Sequence, residues 1–336
     1  MNNSTLTQSQ HSLLTPCLIV LLLLTVIASL AFGPVVLAPG RILNALTSNG
    51  DFIAHTIIVD LRLPRMIVGL LVGGMLGLAG AVLQGYLRNP LAEPSVLGAS
   101  NAAALGAVIA LYYGLFEMHS ASLPVLAIIS ALVALSLLFL FARSGEGPLS
   151  LILAGIAVST LAGAGISLAL NLSANPFAAM EIMNWLLGSI ENRTIEHVWI
   201  VLPCVVIGAL LLLGSGHALD ALSLGEDGAA SLGIDLRAVR WRILVGVAVG
   251  VGGAVAVSGA IGFVGLIVPH LIRPFTDRSP SGVMVPSIIA GALLLTLADI
   301  FVRLIPTENE LKLGVVTAFL GVPVFLIYLV RERRLW

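Results

Sequence analysis

Charged side chains are scarce in this sequence. Its 336 residues include 16 Lys and Arg and 17 Asp and Glu, or 10%, against roughly 25% in an ordinary soluble domain. Hydrophobic residues make up 58%, and the mean hydropathy is +1.08. Too few polar side chains remain to cover a water-facing surface, which excludes a soluble globular enzyme. The net charge of -1 also excludes a nucleic-acid binder that works by neutralising phosphates.

Lysine, cysteine and histidine are equally sparse. The only lysine, Lys312, lies between two leucines, so the chain has no phosphate-binding loop of the GxxxxGK[ST] type. Any ATP must therefore be hydrolysed by a partner. The six histidines show no metal-binding spacing, and Cys17 and Cys204 lie in apolar runs. We expect neither a metal site, a disulfide nor a cofactor in this chain.

Long uncharged stretches dominate what remains. They cover residues 1–40, 66–87, 94–116, 118–142, 147–180, 197–219, 243–272, 279–298 and 313–330. Most match the roughly 20 apolar residues that a helix needs to cross a bilayer. The sequence therefore predicts an all-α polytopic protein with a single transmembrane domain over residues 1–336, since no polar linker interrupts it. The first stretch, with no preceding Lys or Arg, is expected to be a retained helix rather than a signal peptide.

The 147–180 stretch is too long for one span. Asn175 and Pro176 divide it, because proline disfavours helix at the residue before it. We expect a span from Leu149 to Leu172, followed by a short surface helix from Phe177 to Ile190.

The distribution of arginines predicts the orientation. Clusters at residues 237–242 and 331–334 are expected to face the cytoplasm. Two cytoplasmic points require an even number of crossings between them, yet only three uncharged stretches separate the clusters. The simplest solution is that the 243–272 stretch crosses twice, with a break at the glycine-containing segment 258–262. This gives ten spans with both termini in the cytoplasm.

On this topology the positive charges divide ten to six. The cytoplasmic set is Arg88, Arg143, Arg237, Arg240, Arg242, Arg273, Arg278, Arg331, Arg333 and Arg334. The external set is Arg41, Arg62, Arg65, Arg193, Arg303 and Lys312. The bias has the expected direction but is modest, so the external charges require an explanation.

Small residues recur at helical spacing. Gly69, Gly73 and Gly77 form one small-xxx-small face, and Gly246 and Gly250 form another, which indicates closely packed helices.

A stripe of small and polar residues runs along one predicted span, at positions Thr160, Ala164, Ser167 and Asn171. It could line a solute pathway. Alternatively, its hydroxyl groups bond to their own helix and the stripe packs against a neighbour.

Acidic residues are absent from the centres of the predicted spans. Asp299 comes nearest, but its simplest partner is Arg303, one helical turn away and near the outer end. This weakens the alternative of an ion-coupled secondary transporter, which needs an embedded acid.

Two predicted cytoplasmic segments have unusual compositions. Residues 87–94 hold two prolines, an acid and a base, which is typical of a rigid loop. Residues 222–235 contain glycines that separate two short possible helices. Such a segment could dock a cytoplasmic protein; the alternative is that it is a solvated loop.

These features together resemble the FecCD-type permeases, the membrane subunits of ABC importers for ferric siderophores, haem and vitamin B12. The resemblance rests on segments that occur in order from residue 60 onward: LRLPR at 61–65, QG at 84–85, RNPLAEP at 88–94, LGAS at 97–100, LAG at 153–155, LG at 232–233, GAIGFVGL at 259–266, PH at 269–270, Arg273, Ala298, Asp299, Arg303, GVVT at 314–317 and GVP at 321–323.

The resemblance implies a type II importer fold with ten transmembrane helices and a set of partners. These are a second permease copy in a homodimer, two cytoplasmic ABC ATPases and an extracytoplasmic solute-binding protein, in the inner membrane of a bacterium. It also implies that Arg62, Arg65 and Arg303 accept glutamates of the binding protein; the alternative is that they are arginines at helix ends that reach toward water.

The resemblance further assigns residues 222–237 to ATPase coupling. The residues expected to carry it are Leu224, Gly225, Glu226, Asp227, Ala229, Leu232 and Gly233. The family also places an inner gate at 147–150, where this sequence has Leu149 instead of a hydroxyl residue, so we assign no polar gate. The expected substrate is a ferric siderophore, with vitamin B12 or haem as alternatives.

Overall fold

The computed structural model describes residues 3–47, 51–95, 97–115, 119, 121–141, 148–173, 176–307 and 310–332. Over these ranges the protein is helical, without a β-strand. The α-helices are α1 (Asn3–Ala31), α2 (Pro39–Thr47), α3 (Phe52–His55), α4 (Leu63–Leu87), α5 (Ala99–Tyr112), α6 (Ser122–Phe141), α7 (Pro148–Asn171), α8 (Pro176–Leu186), α9 (Ile195–Leu213), α10 (Gly216–Leu222), α11 (Glu226–Ser231), α12 (Leu236–Ser258), α13 (Val264–Ile272), α14 (Pro280–Leu304) and α15 (Leu313–Glu332). A π-helical segment, Thr56–Arg62, joins α3 to α4.

Helix length and composition make this a multi-pass membrane protein. Six helical stretches are long and apolar enough to cross a bilayer: Leu13–Ala31, Phe52–Leu87, Leu153–Asn171, Ile195–Leu213, Leu236–Ser258 and Pro280–Leu304. Four shorter apolar helices accompany them: Ala99–Tyr112, Ser122–Leu138, Val264–Phe275 and Leu313–Val324.

The centre of the bundle is an antiparallel pair, α4 against α14. A Cβ atom at Gly73 would lie 2.4 Å from the carbonyl oxygen of Gly291, and one at Gly77 would lie 2.2 Å from that of Ser287. The two backbones are therefore in direct contact. The helix contact indicated by the glycine spacing on α4 is confirmed.

A second antiparallel pair, α9 and α12, is built in the same way. A Cβ atom at Gly208 would lie 2.7 Å from the Cα of Gly250 and 2.9 Å from the carbonyl oxygen of Gly246. Small residues thus set the separation of both pairs, as in other membrane bundles that lack a hydrophobic driving force between helices.

The predicted break between α12 and α13 is confirmed. Helix α12 ends at Ser258, and Gly259 follows with φ +68°. A Cβ atom there would lie 2.1 Å from the carbonyl oxygen of Trp185. Both the left-handed backbone and the close approach require glycine. The chain then reverses and begins α13 at Val264.

The segment after α4 turns back into the bundle. The Ser159 hydroxyl group of α7 donates to the carbonyl oxygen of Ser95 at 2.8 Å, so α5 begins beside the middle of α7. Glu93 is only 6% exposed. Its carboxylate accepts a hydrogen bond from Ser95 and also interacts with the backbone N–H groups of Phe263 and Leu266 at the start of α13. The sequence predicted a rigid loop here but not its burial.

Other predicted boundaries agree closely. Helix α7 matches the expected span to within one residue at each end, whereas α8 ends at Leu186, four residues before the predicted end. Several residues named in the predictions lie outside the described ranges: Arg143, Gly147, Asn175, Arg333 and Arg334.

The contact between α4 and α14 can be tested by adding one methyl group. We expect Gly77→Ala to lower the stability of the purified protein by about 1–3 kcal/mol, because the new Cβ overlaps the Ser287 carbonyl. Gly163→Ala in α7 is the matched control, since no other described part of the protein lies within 4 Å of its Cβ position. Thermal unfolding in detergent measures both. Equal midpoints for the two variants would contradict the packing.

Candidate functional site

Four arginines gather at one end of the bundle, which we call the arginine end. They are Arg62 before α4, Arg65 in its first turn, Arg193 before α9 and Arg303 in the last turn of α14. The opposite end carries α11 and is called the α11 end.

Arg62 is 5% exposed and closes the last turn of α1. Its guanidinium donates to the carbonyl oxygens of Leu30 at 2.7 Å and Ala31 at 3.0 Å, and to that of Val35 beyond the helix. The last carbonyls of a helix have no intrahelical partner and carry a partial negative charge. A single cation thus fixes the end of α1 against the start of α4.

Asp299 lies at the centre of the charged network and is 1% exposed. Its Oδ1 accepts from Arg65 Nε at 2.8 Å, and its Oδ2 lies 3.0 Å from Arg303 Nε. The second contact is an ion pair without hydrogen-bond alignment. The expected pairing with Arg303 is therefore confirmed, while the bond from Arg65 was not foreseen.

Arg65 and Arg303 extend the network in opposite directions. Arg65 also binds the carboxylate of Glu310, which precedes α15. Arg303 donates to the Ser29 carbonyl and hydroxyl oxygens at 3.0 and 2.8 Å and to the Phe32 carbonyl at 3.1 Å. Helices α1, α4 and α14 are joined through these side chains to the segment that leads into α15.

Two adjacent cavities open at the arginine end, and they differ in charge. The first, of about 210 Å³, is lined by all four arginines together with Pro34, Val35, Ile57, Leu61 and Asn192, and no acid among the described residues lines it. The second, of about 460 Å³, is lined by Glu191, Glu310 and Arg303 among others. We call them the arginine cavity and the acidic cavity.

Arg193 follows Asn192, whose φ is +55°. Burial lowers the pKa of the Arg193 guanidinium, and the charge of Glu191 partly offsets this. The residue remains charged, because an arginine keeps its proton in proteins.

The α11 end presents a short helix between two glycines. Gly225 and Gly233 have φ +96° and +80°, and α11 lies between them. Ala229 anchors it with 0% exposure, while Leu224 and Leu232 are 70% and 63% exposed. Glu226, Asp227 and Arg237 are exposed as well. Two large apolar side chains beside acidic ones form a surface suited to a protein partner.

The polar stripe on α7 faces outward. Thr160, Ala164, Ser167 and Asn171 are all exposed, so this face is not packed against another described helix of the same chain. The Thr160 hydroxyl group donates to the carbonyl oxygen of Ile156 at 2.8 Å, as the alternative interpretation predicted for hydroxyl groups on the stripe. The exposure leaves the face available to a solute pathway or a second subunit.

Known proteins resemble this chain over most of its length. The model of the FecCD transport family matches residues 21–331. YvrB, an uncharacterised ABC transporter permease of Bacillus subtilis (strain 168), is 38% identical over 283 residues, which cover 83% of this chain and 80% of YvrB. BtuC, the vitamin B12 import system permease of Vibrio vulnificus (strain CMCP6), is 38% identical over 313 residues, covering 93% and 94%.

A solved structure shares the whole fold. It is an inward-facing ABC transporter assigned to the metal-chelate type, with a TM-score of 0.83 and 30% identity over 95% of this chain and 99% of that one. The fold and these relatives define an ABC transporter permease. The chain belongs to the FecCD transport family, whose members are transport proteins rather than enzymes.

The role of Asp299 can be tested by removing its charge. We expect Asp299→Asn to cost about 3 kcal/mol in the free energy of unfolding, because two buried guanidinium groups lose their shared counter-charge. Arg41→Gln is the control, because it breaks the ion pair between Arg41 and Asp51. The side chains of these two residues are 48% and 30% exposed, and exposed ion pairs contribute little to stability. A chemical or thermal unfolding midpoint unchanged by Asp299→Asn would show that the network is not structural.

Proposed function

We propose that this chain is the permease subunit of an ABC importer that moves a metal chelate into the cytoplasm. Two copies form the pathway, two separate ATPases power it, and an extracytoplasmic solute-binding protein delivers the substrate. The observation that carries this proposal is the placement of two unlike surfaces at opposite ends of one bundle. The arginine cavity suits an acidic protein outside, and α11 suits an ATPase inside.

Ten crossings of the bacterial inner membrane are part of the proposal. The six long and four shorter apolar helices would each cross once, alternating in direction between the two ends. The start of α1 and the end of α15 then lie at the α11 end, which would face the cytoplasm. The arginines of α12, at positions 237, 240 and 242, belong to the same end and favour that orientation.

The coupling role falls to residues 222–237. Movement of an ATPase must reach the spans through contacts on a rigid element. Helix α11 meets this need because α10 precedes it and α12 follows after only four residues. The last of these, Asp235, caps α12 by accepting from the N–H groups of Arg237 and Ala238. A push on Leu224 or Leu232 would therefore act on α12.

Docking of the binding protein is assigned to Arg62, Arg65 and Arg303. All three line the arginine cavity, which supports the assignment. Each also holds the protein's own helices together, so these arginines would shape the cavity as well as attract an acidic partner.

The pathway is assigned to the exposed face of α7. Small and weakly polar side chains at Thr160, Ala164, Ser167 and Asn171 would let a bulky solute pass without binding it tightly. A second permease copy facing this stripe would enclose the pathway.

The substrate class is a metal chelate, and a ferric siderophore is the first candidate. The sequence relatives named as vitamin B12 import permeases favour cobalamin, itself a cobalt chelate, as the second. The ligand that the solute-binding protein binds would distinguish a ferric siderophore from cobalamin.

Transport can be measured in liposomes that contain the permease, its ATPase and its binding protein. We expect ATP-dependent uptake of either a radiolabelled ferric siderophore or cobalamin, and no uptake with a hydrolysis-deficient ATPase. Uptake of the other candidate serves as the specificity control. Uptake driven by a proton gradient without any ATPase would contradict the proposal and favour a secondary transporter.

The coupling surface can be tested with two charge insertions. We expect Leu224→Asp and Leu232→Asp each to reduce co-purification of the ATPase at least tenfold, because a carboxylate replaces an exposed apolar contact. The unfolding midpoint should not move, since both side chains are exposed. Ser231→Ala, at a neighbouring exposed position, should retain the ATPase. Full retention by both aspartate variants would sink the assignment.

A further inference from the structure

Five of the six positive charges predicted to be external have partners within the protein. Arg41 pairs with Asp51, Arg65 and Arg303 with Asp299, Lys312 with Glu191, and Arg62 binds the carbonyls that end α1. Arg193 differs from them. Across the part of the chain that the structure describes, no hydrogen bond or ion pair of contact distance is found for Arg193. Its Nε is buried without an acceptor, and Glu191 acts on it only through its charge at longer range.

The missing partner is not the result of a loose loop. The Ser189 N–H group donates to the Ser258 carbonyl at 2.7 Å, and Glu191 is tied to Lys312 at 2.9 Å. On the other side, Thr194 and His197 form a capping box at the start of α9. The backbone at Arg193 is thus fixed from both sides, at a position where the side chain lines the arginine cavity.

Arg193 is half-buried, but its Nε is fully buried and has no acceptor among the described residues, which is costly. An unmade hydrogen bond of a buried donor costs roughly 1–3 kcal/mol, and more for a charged group. Among the described residues, no acid lines the arginine cavity, and Glu191, whose charge acts on Arg193, is already paired with Lys312. Within the network, Asp299 and Glu310 offset Arg65 and Arg303, and Arg62 is satisfied by neutral carbonyls. The cavity therefore keeps an excess of positive charge at Arg62 and Arg193. Of these two, only Arg193 has a buried donor without an acceptor in the described structure, so an anion would be drawn to it.

The neighbouring acidic cavity narrows where that anion can bind. Glu191 and Glu310 line it and would repel a carboxylate placed inside it. The arginine cavity is the attractive position beside it, and its volume of about 210 Å³ admits a single side chain rather than a folded segment.

We propose that Arg193 receives the carboxylate of a glutamate or aspartate side chain of the solute-binding protein, as a fourth docking residue in the arginine cavity. This inference rests on the proposed function. It assigns Arg193 a role distinct from the other three arginines: their donors are bound by the protein's own carbonyl and carboxylate oxygens, whereas Arg193 has donors left for the partner.

The test measures the affinity of the binding protein for the permease–ATPase complex in lipid nanodiscs. We expect Arg193→Gln to weaken binding at least tenfold and to reduce its dependence on salt, with Arg193→Lys retaining part of the affinity. Arg41→Gln, which removes an external charge of equal sign away from the cavity, should bind normally. The unfolding midpoint of Arg193→Gln should equal or exceed that of the unsubstituted protein, because the removed charge was unpaired.

A double-mutant cycle identifies the acidic residue of the binding protein that contacts Arg193. Acidic residues of the binding protein are replaced one at a time by glutamine. We expect one of these replacements to weaken binding to the unsubstituted permease but to have no further effect on Arg193→Gln. Unchanged affinity in Arg193→Gln, or fully additive losses for every acidic residue, would overturn the inference. ATP-dependent uptake by the unsubstituted complex is measured in parallel, so a failure of the proposed function is recognised separately.

Discussion

The arginine end depends on the ion pairs that the Asp299 carboxylate makes with Arg65 and Arg303. This carboxylate lies at the last turns of α14, almost without exposure, and offsets the charges of Arg65 on α4 and Arg303 on its own helix. In an environment of low dielectric constant, two such cations could not be buried together without it. Through Arg303 the same group also holds the end of α1, and through Arg65 it reaches Glu310 before α15.

The glycine contacts give this charged network its geometry. Because α4 and α14 touch through backbone at Gly73 and Gly77, their ends are close enough for Arg65 to reach Asp299 across 234 positions of sequence. A larger residue at either glycine would move the two helices apart and lengthen this bond. The charges are therefore positioned by packing far inside the bundle.

The sequence predicted correctly those features that depend on neighbouring residues or on the number of membrane crossings. Helix α7, the break after Ser258 and the pairing of Asp299 with Arg303 are all set by nearby residues or by the parity of crossings. Contacts between distant helices could not be predicted in this way. The burial of Glu93 against α13 and the bonds from Arg62 to α1 require the packed arrangement, and periodicity along one helix carries no signal for them.

The most direct measurement of the docking surface uses the scarcity of lysine in this chain. Lys312 is its only lysine, so a Lys312→Arg background that also carries Arg193→Lys presents one lysine, located at the arginine cavity. A zero-length carbodiimide reagent joins a lysine to a carboxylate only when the two are in contact. We predict a cross-link from position 193 to an acidic side chain of the solute-binding protein, absent from the background without Arg193→Lys. No cross-link at position 193, in a complex that still binds, would contradict the assignment of the arginine cavity as the docking site.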